Sequence, residues 1–290
     1  MKAVLLLAHG TPDGLDQLPE YLTRVRGGRP PSAQLLAEMR GNYAAIGGRS
    51  PLTDITQAQG RALQAALGEA TPVLVGMRNW RPFIAEAVAA ASGAGATELL
   101  ALPLTPQSSP ASTGKYREAV MQAIPSGVSV SFVESWHGHP QVLEAFAEKV
   151  RAGQGGCDGF VFTAHSLPAR LLQAGDPYPR QVADTAAGVA ARAGIGEFHL
   201  AWQSAGRTAE EWLQPTLEDR LAELAALGRR RVLVAPIGFV ADHTEILYDL
   251  DIQARRFAEA RGLSLVRTES LNTSPPFISA LADLVRHAFA

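Results

Sequence analysis

VFTAHSLPAR, residues 161–170, is an apolar run that stops at a histidine and continues into Ser-x-Pro, which reads as a buried strand, a turn and the start of a helix. LLLAHGTPDG, residues 5–14, repeats the pattern, with Leu5, Leu6 and Leu7 leading into Ala8-His9 and Pro12 following. One copy lies in each half of the chain. Outward from these turns, short apolar runs alternate with longer amphipathic stretches. VLLLA (4–8), PVLVGM (72–77), ELLALPL (98–104), VSVSFV (128–133), GFVFTA (159–164), FHLAW (198–202), RVLVAPI (231–237) and LSLVRT (263–268) predict strands. RPFIAEAVAAASGAG (81–95) and residues 216–226 carry apolar positions at helical spacing and predict helices between them.

Strands that are continuously apolar and separated by helices imply parallel sheets covered on both faces, an α/β fold. At 290 residues the chain suits two domains, each able to bury a core. Four predicted strands precede residue 135 and four follow it, and a histidine turn closes the first strand of each set. The reading is therefore two similar doubly wound halves, residues 1–135 and 136–290. WHGHPQ (136–141) makes the crossover and NTSPPF (272–277) introduces a last helix. Ligands of open α/β sheets bind outside the carboxyl ends of strands, so His9 and His165 should face one another across a cleft.

Composition narrows the class. A hydrophobic share of 47%, a charged share of 19% and a net charge of -2 describe a soluble globular protein with no electrostatic case for nucleic acid. The lone Cys157 excludes an internal disulfide framework and cannot by itself hold zinc or an iron-sulfur cluster, which fits a reducing compartment. MKAVLLLAHGTP is too short in its apolar run for a signal peptide, and no run reaches the roughly 20 apolar residues of a membrane span. A cytoplasmic location is expected.

The chemistry gathers around His165, whose ring should project from a strand end into the cleft. A histidine bonded to a loop carbonyl is the plainer alternative. The second cluster is PIGFVADHTEILYDLD (236–251), read as a strand, a glycine loop and a helix beginning near Asp242. On that helix Asp242, Glu245 and Asp249 make one acidic face beside Tyr248. Asp242-x-x-Glu245 also fits a capping box, with Glu245 serving backbone N–H groups only. An imidazole with carboxylates behind it suits a divalent first-row cation, and the absence of thiolates favours a transiently bound ferrous ion over a locked zinc.

These motifs carry a resemblance. AHSLP (164–168), GDPYP (175–179), WQSAG (202–206) and PIGFVADHTEILYDLD form an ordered series that resembles the ferrochelatases, over nearly the whole length. GTP (10–12), YAAIGGRSPL (43–52) and PQSS (106–109) through Tyr116 agree. With no long hydrophobic lip before GGRSPL and no C-terminal extension, the chain is most similar to the soluble coproporphyrin III ferrochelatases. The resemblance implies two Rossmann-like domains of the chelatase fold that hold a tetrapyrrole between them. It implies insertion of Fe2+ into coproporphyrin III to give coproheme in heme biosynthesis, with protoporphyrin IX as the alternative substrate. His165 and Glu245 would be the catalytic and metal-facing pair, and His9, Arg26, Asn42, Tyr43, Ser50 and Tyr116 the porphyrin contacts. Guanidinium forks such as Arg26 in RVRGGRPP match propionates, although a solvated basic loop explains the same charges. Tyr43 and Trp202 offer flat apolar contact, which core packing explains equally well.

No tightly bound cofactor is implied, ferrous iron being substrate. The partners are the porphyrin, the iron and, in transient contact, a downstream coproheme decarboxylase; a monomer is expected. Two departures stand out. His9 occupies a position where the soluble class often has tyrosine, and Asn42 stands where an arginine is expected, so that one propionate contact is weaker or is supplied by Arg49. Three other readings fit less well. Histidine phosphatases need an arginine where Ala8 stands. A hinged two-domain tetrapyrrole or metal binding protein has no need of His165 with Glu245. A cobalt or nickel chelatase would differ only in metal and ring.

Overall fold

In the computed structural model, which describes residues 1–206 and 210–290, all eight expected strands are present, each within two residues of its predicted limits. The first sheet contains β1 (Lys2–Ala8), β2 (Val73–Met77), β3 (Glu98–Pro103) and β4 (Ser129–Phe132), in the order β2-β1-β3-β4 and parallel throughout. Around it lie α1 (Leu18–Val25), α2 (Ala33–Ala45), α3 (Leu52–Leu67), α4 (Ile84–Gly93) and α5 (Thr113–Ala123). The second sheet, β5 (Gly159–His165), β6 (His199–Gln203), β7 (Arg231–Pro236) and β8 (Ser264–Arg267), has the matching order β6-β5-β7-β8. Its helices are α6 (Pro140–Gly153), α7 (Arg170–Gln173), α8 (Tyr178–Ala193), α9 (Leu217–Ala226), a π-helical stretch Glu245–Ala254 that runs into α10 (Arg255–Glu259), and α11 (Pro275–Ala288).

Why β1 reads as unbroken apolar sequence is visible in its two faces. Val4, Leu6 and Ala8 enter a cluster with residues of the second half, and Ala3, Leu5 and Leu7 enter another with Ile84, Val88 and Val120. In β5, Phe162 and Ala164 face the shared cluster, whereas Val161 packs with Leu217, Leu221 and Ile246. One apolar core is thus continuous between the halves. The terminal helix α11 reinforces it by packing on α3 as well as α6, burying Phe277, Leu281 and Val285. Each such side chain contributes about 1.5–3 kcal/mol on burial. Arg286 Nη2 donates to Ala66 O at 2.7 Å and Lys2 Nζ to Phe289 O at 2.8 Å, tying the chain's end back to the first half.

The helix expected over 216–226 forms, capped at Thr216, whose hydroxyl and Asp219 exchange hydrogen bonds. Two local expectations fail. Ser166 does not open a helix: its hydroxyl donates to Leu213 O at 3.3 Å, and only the single turn α7 follows, from Arg170. The helix expected near Asp242 forms and begins at Thr244–Glu245, but Asp242 is not part of its acidic face. Asp242 is drawn off it by three donors, Ser270 Oγ at 2.8 Å, Asn272 Nδ2 at 2.9 Å and Arg267 Nη1 at 3.2 Å. The acidic face therefore loses its first member, and the capping box does not form.

The strand order fixes where a ligand can lie. β1 sits between β2 and β3, and β5 between β6 and β7, so the chain leaves each central strand once to either side. That reversal opens a crevice at the carboxyl end of the central strand. His9 and His165 stand at those two points.

Candidate active site

His165 is the last residue of β5, and its position is set from three sides. The Tyr178 hydroxyl, from GDPYP, donates to His165 O at 3.1 Å, and Ser166 N donates to Gln203 O at 2.8 Å. Gly238 lets the chain after β7 pass close beneath, since a Cβ there would lie 2.7 Å from the Ala164 side chain. His165 Nδ1 donates to the Ser166 carbonyl, which turns Nε2 outward, 3.8 Å from Glu245 Oε2. The carbonyl bond of the plainer reading is therefore present, and it engages one nitrogen only.

Glu245 opens the π-helical stretch and also meets His243, whose Nε2 is 3.5 Å from the same Oε2 while its Nδ1 donates to Ala241 O at 2.9 Å. Enclosure in the cleft wall acts to raise the Glu245 pKa, but the imidazoles of His165, His243 and His9 outweigh it and hold the carboxyl at about 2. Burial lowers His243, and Glu245 more than reverses that, favouring imidazolium. Glu245 keeps 40% of its side-chain exposure and His165 33%, so both open onto the cleft. One π-helical step on, Asp249 accepts from the Ser204 hydroxyl. Burial pushes its pKa up to about 6, against the pull of Ser204 and with the help of Glu245.

The opposite turn is built differently. Gly10, at φ +83°, permits the reversal after His9, and a Cβ there would lie 2.8 Å from Trp80 N. The stretch Met77-Arg78-Asn79-Trp80 runs alongside, with Arg78 N on Ala8 O at 3.0 Å and Asn79 N on His9 O at 2.9 Å. The Asn79 amide lies 3.1 Å from His9 Nε2, and Tyr21 meets the imidazole edge-on. Burial, aided by Arg78, lowers the His9 pKa to about 4, so this imidazole is neutral at physiological pH. The charges of Glu245, His243 and His165 on the second half also reach His9.

The predicted porphyrin contacts spread over the first half. Tyr43 is 2% exposed, packed with Leu18, Tyr21 and Trp80, and its hydroxyl lies 2.8 Å from Thr11 Oγ1. Burial raises its pKa, and that of Tyr116 reaches about 12 for the same reason. Tyr116 lies under the Arg78 guanidinium. Ser50 is buried at the start of α3, its hydroxyl accepting from Leu52 N at 3.4 Å. Asn42 is half-buried on α2, and Arg26 ends α1 exposed. Arg49, a substitute for the arginine missing at position 42, is engaged with Asp54. Trp202 belongs to the core, stacked on Tyr178 at 5.8 Å with its indole N–H on Gln214 O.

Sequence reading missed His243, Arg78 and Asn79. The last two follow β2 at its carboxyl end, the same signal that marked the histidines. It also left PQSS without a role. Gln107 Nε2 reaches Thr185 Oγ1 at 3.1 Å and Ile237 O at 3.2 Å, Ser108 N reaches Gln181 Oε1 at 2.7 Å, and Ser109 Oγ reaches Asp176 Oδ2 at 2.5 Å. These bonds clamp the first half onto α8 and the GDPYP turn that holds His165.

Comparison with known proteins agrees with this geometry. The chain resembles solved chelatase-fold structures over their whole length: SirB from Bacillus subtilis with Fe3+ (TM-score 0.64, 14% identity, covering 100% of this chain and 96% of that one) and CbiX from denitrifying bacteria (TM-score 0.58, 15% identity, 99% and 100%). In sequence it is 42% identical to a ferrochelatase of Acidobacterium capsulatum over 98% of this chain and 93% of that protein. It is 36% identical to the coproporphyrin III ferrochelatase of Geobacillus kaustophilus over 99% and 96%. Among the described residues no helix is long and apolar enough to cross a membrane. The sequence pattern of the family described as Ferrochelatase matches residues 1–289, and the chain belongs to that family of metal-inserting enzymes.

Proposed function

We propose that this enzyme inserts Fe2+ into coproporphyrin III to give coproheme, with His165 and Glu245 as the reacting pair. The observation that carries the reading is the 3.8 Å separation of His165 Nε2 and the Glu245 carboxylate, which is held ionised, both part-exposed. Two electron-pair donors facing each other at that distance attract a cation, and the reaction supplies both kinds: ferrous ion entering and pyrrole protons leaving. Replacing two N–H protons of the macrocycle by Fe2+ releases two protons. His165 Nε2 is placed to accept one, and Asp249, with a pKa of about 6, exchanges protons near neutrality behind Glu245. Glu245 stays ionised and draws the metal to that side. Among the described residues no set of three or more histidine, cysteine, aspartate or glutamate side chains converges to hold a metal.

His9, Arg26, Asn42, Tyr43, Ser50 and Tyr116 grip the macrocycle from the first half in this reading, with neutral His9 able to approach the iron from the opposite face. The choice of coproporphyrin III rests on the relative that carries that name and on Arg26, exposed and without an ion-pair partner among the described residues. Arg29 Nε next to it donates to Arg26 O at 3.3 Å. Anaerobic metallation with Fe2+, followed by the Soret shift for coproporphyrin III and protoporphyrin IX in turn, tests the proposal. A higher kcat/KM for the four-carboxylate ring supports it. A preference for protoporphyrin IX removes the substrate and leaves the chelatase.

A further inference from the structure

Arg78 is a cation beside the His9 turn that the reaction as described leaves without a task. It follows the last residue of β2, beside the His9 turn, with its backbone fixed on Ala8 O. Its side chain is half-buried, and among the described residues it has no ion-pair or hydrogen-bond partner. The guanidinium carbon lies 5.8 Å from the centre of the Tyr116 ring, which is itself 8% exposed. The Tyr116 hydroxyl makes no hydrogen bond within the described residues either. A guanidinium carries only donors, and a phenol near neutral pH donates readily. A guanidinium over a tyrosine ring, with no acceptor for its N–H groups or for the phenol O–H among the described residues, forms half of an anion site. Three other arginines on this half differ: Arg24 is paired with Glu20, Arg49 with Asp54 and Arg81 with Glu86.

We propose that Arg78 and Tyr116 together form a carboxylate-binding subsite in the depth of the cleft, which takes one side-chain carboxylate of the porphyrin as a forked ion pair. The planar guanidinium fork matches a carboxylate bidentately, and the Tyr116 ring beneath holds the fork flat. Placed beside the His9 turn, the site draws one edge of the macrocycle to the first half, while Glu245 and Asp249 on the facing half attract the metal. Arg78 is thus a substrate-binding residue that sets the orientation of the ring, and its loss should appear in affinity rather than in turnover. This assignment rests on the proposed function, since it takes the porphyrin as the ligand.

The test is equilibrium binding of metal-free coproporphyrin III and of its tetramethyl ester, followed by fluorescence in detergent, to the full-length protein and to Arg78→Gln and Arg78→Lys. The expected result is a Kd for the acid about tenfold or more weaker in Arg78→Gln, as for loss of a charge-assisted pair, with the ester within about twofold of the unaltered protein. Arg78→Lys keeps the charge but not the fork and should fall between, with kcat at saturating porphyrin changed by less than about threefold. Equal weakening for acid and ester, or no weakening for either, overturns the subsite. Should Arg78→Gln fail to fold, Arg78→Lys decides: acid affinity equal to that of the unaltered protein overturns it. An unaltered protein that binds neither porphyrin overturns the proposed function itself, whereas unaltered protein and Arg78→Gln that bind the acid equally well remove Arg78 alone.

Discussion

His9 and His165 end equivalent strands of equivalent sheets, and their surroundings drive them toward opposite roles. Around His9 the wall is neutral to cationic: Asn79 on the ring, Tyr21 at its edge, and Arg78 adding to burial to keep the imidazole unprotonated. Around His165 the wall carries carboxylates, Glu245 held at about 2 and Asp249 at about 6, with His243 as the counter-charge to Glu245. The same strand-turn device is thus repeated with opposite charge. An anionic ring is drawn to one face and a cation to the other, so the reactants meet between them without competing for the same groups.

The sharpest way to break the comparison is to exchange losses. His165→Ala should lower Fe2+ insertion by roughly a hundredfold to ten-thousandfold, the range for removing a positioned acid–base group, and leave porphyrin affinity within about threefold. His9→Ala should cost about tenfold or less. Parallel metallation and binding assays read both; equal losses at the two turns contradict the division of roles. Next in size, Glu245→Gln should slow insertion by about a hundredfold while shifting stability by less than about 1 kcal/mol, because Glu245 caps no backbone group. A large loss in thermal stability with unchanged turnover per folded molecule would return Glu245 to a structural part. Tyr178→Phe removes the bond to His165 O and should cost about 1 kcal/mol of stability and a few-fold in kcat.

The smallest effects are in pH dependence, where the two walls should move in opposite senses. His9 is harder to protonate in the folded protein than in the unfolded chain, so the stability it contributes is present above pH 6.5 and is lost as pH falls toward about 4. Asp249 holds its proton more tightly when folded, so its contribution is present below pH 3.8 and is lost as pH rises through about 6. Denaturation midpoints measured from pH 4 to 7.5 should therefore flatten on the acid side in His9→Gln and on the neutral side in Asp249→Asn. Curves that overlay the unaltered protein's at every pH would refute both assignments.

The fold was legible because its signals are local. Eight apolar runs of strand length, broken by helical spacing, leave little besides parallel sheets, and the His9 and His165 turns mark the two central strands. The rest depends on contacts far apart in sequence. PQSS reads as an ordinary loop until Gln107 is seen bonding Ile237 O, 130 residues away. The spacing of Asp242 and Glu245 suggests a cap only while Arg267, Ser270 and Asn272 are out of view. Tyr43 and Trp202 look alike as exposed platforms or core until packing puts both inside. Arg78 was open to detection, since it too follows a strand's carboxyl end, but a single arginine in MRNW carries no spacing to set it apart.

The central claim is that His165 and Glu245 act as one unit on metal and proton. A double-mutant cycle of His165→Ala and Glu245→Gln, read as kcat for Fe2+ insertion at saturating coproporphyrin III, tests it most directly. The account predicts that the double variant is no slower than the slower single variant within about threefold. Losses that multiply, each substitution costing its full factor in the presence of the other, would show two independent groups and contradict it.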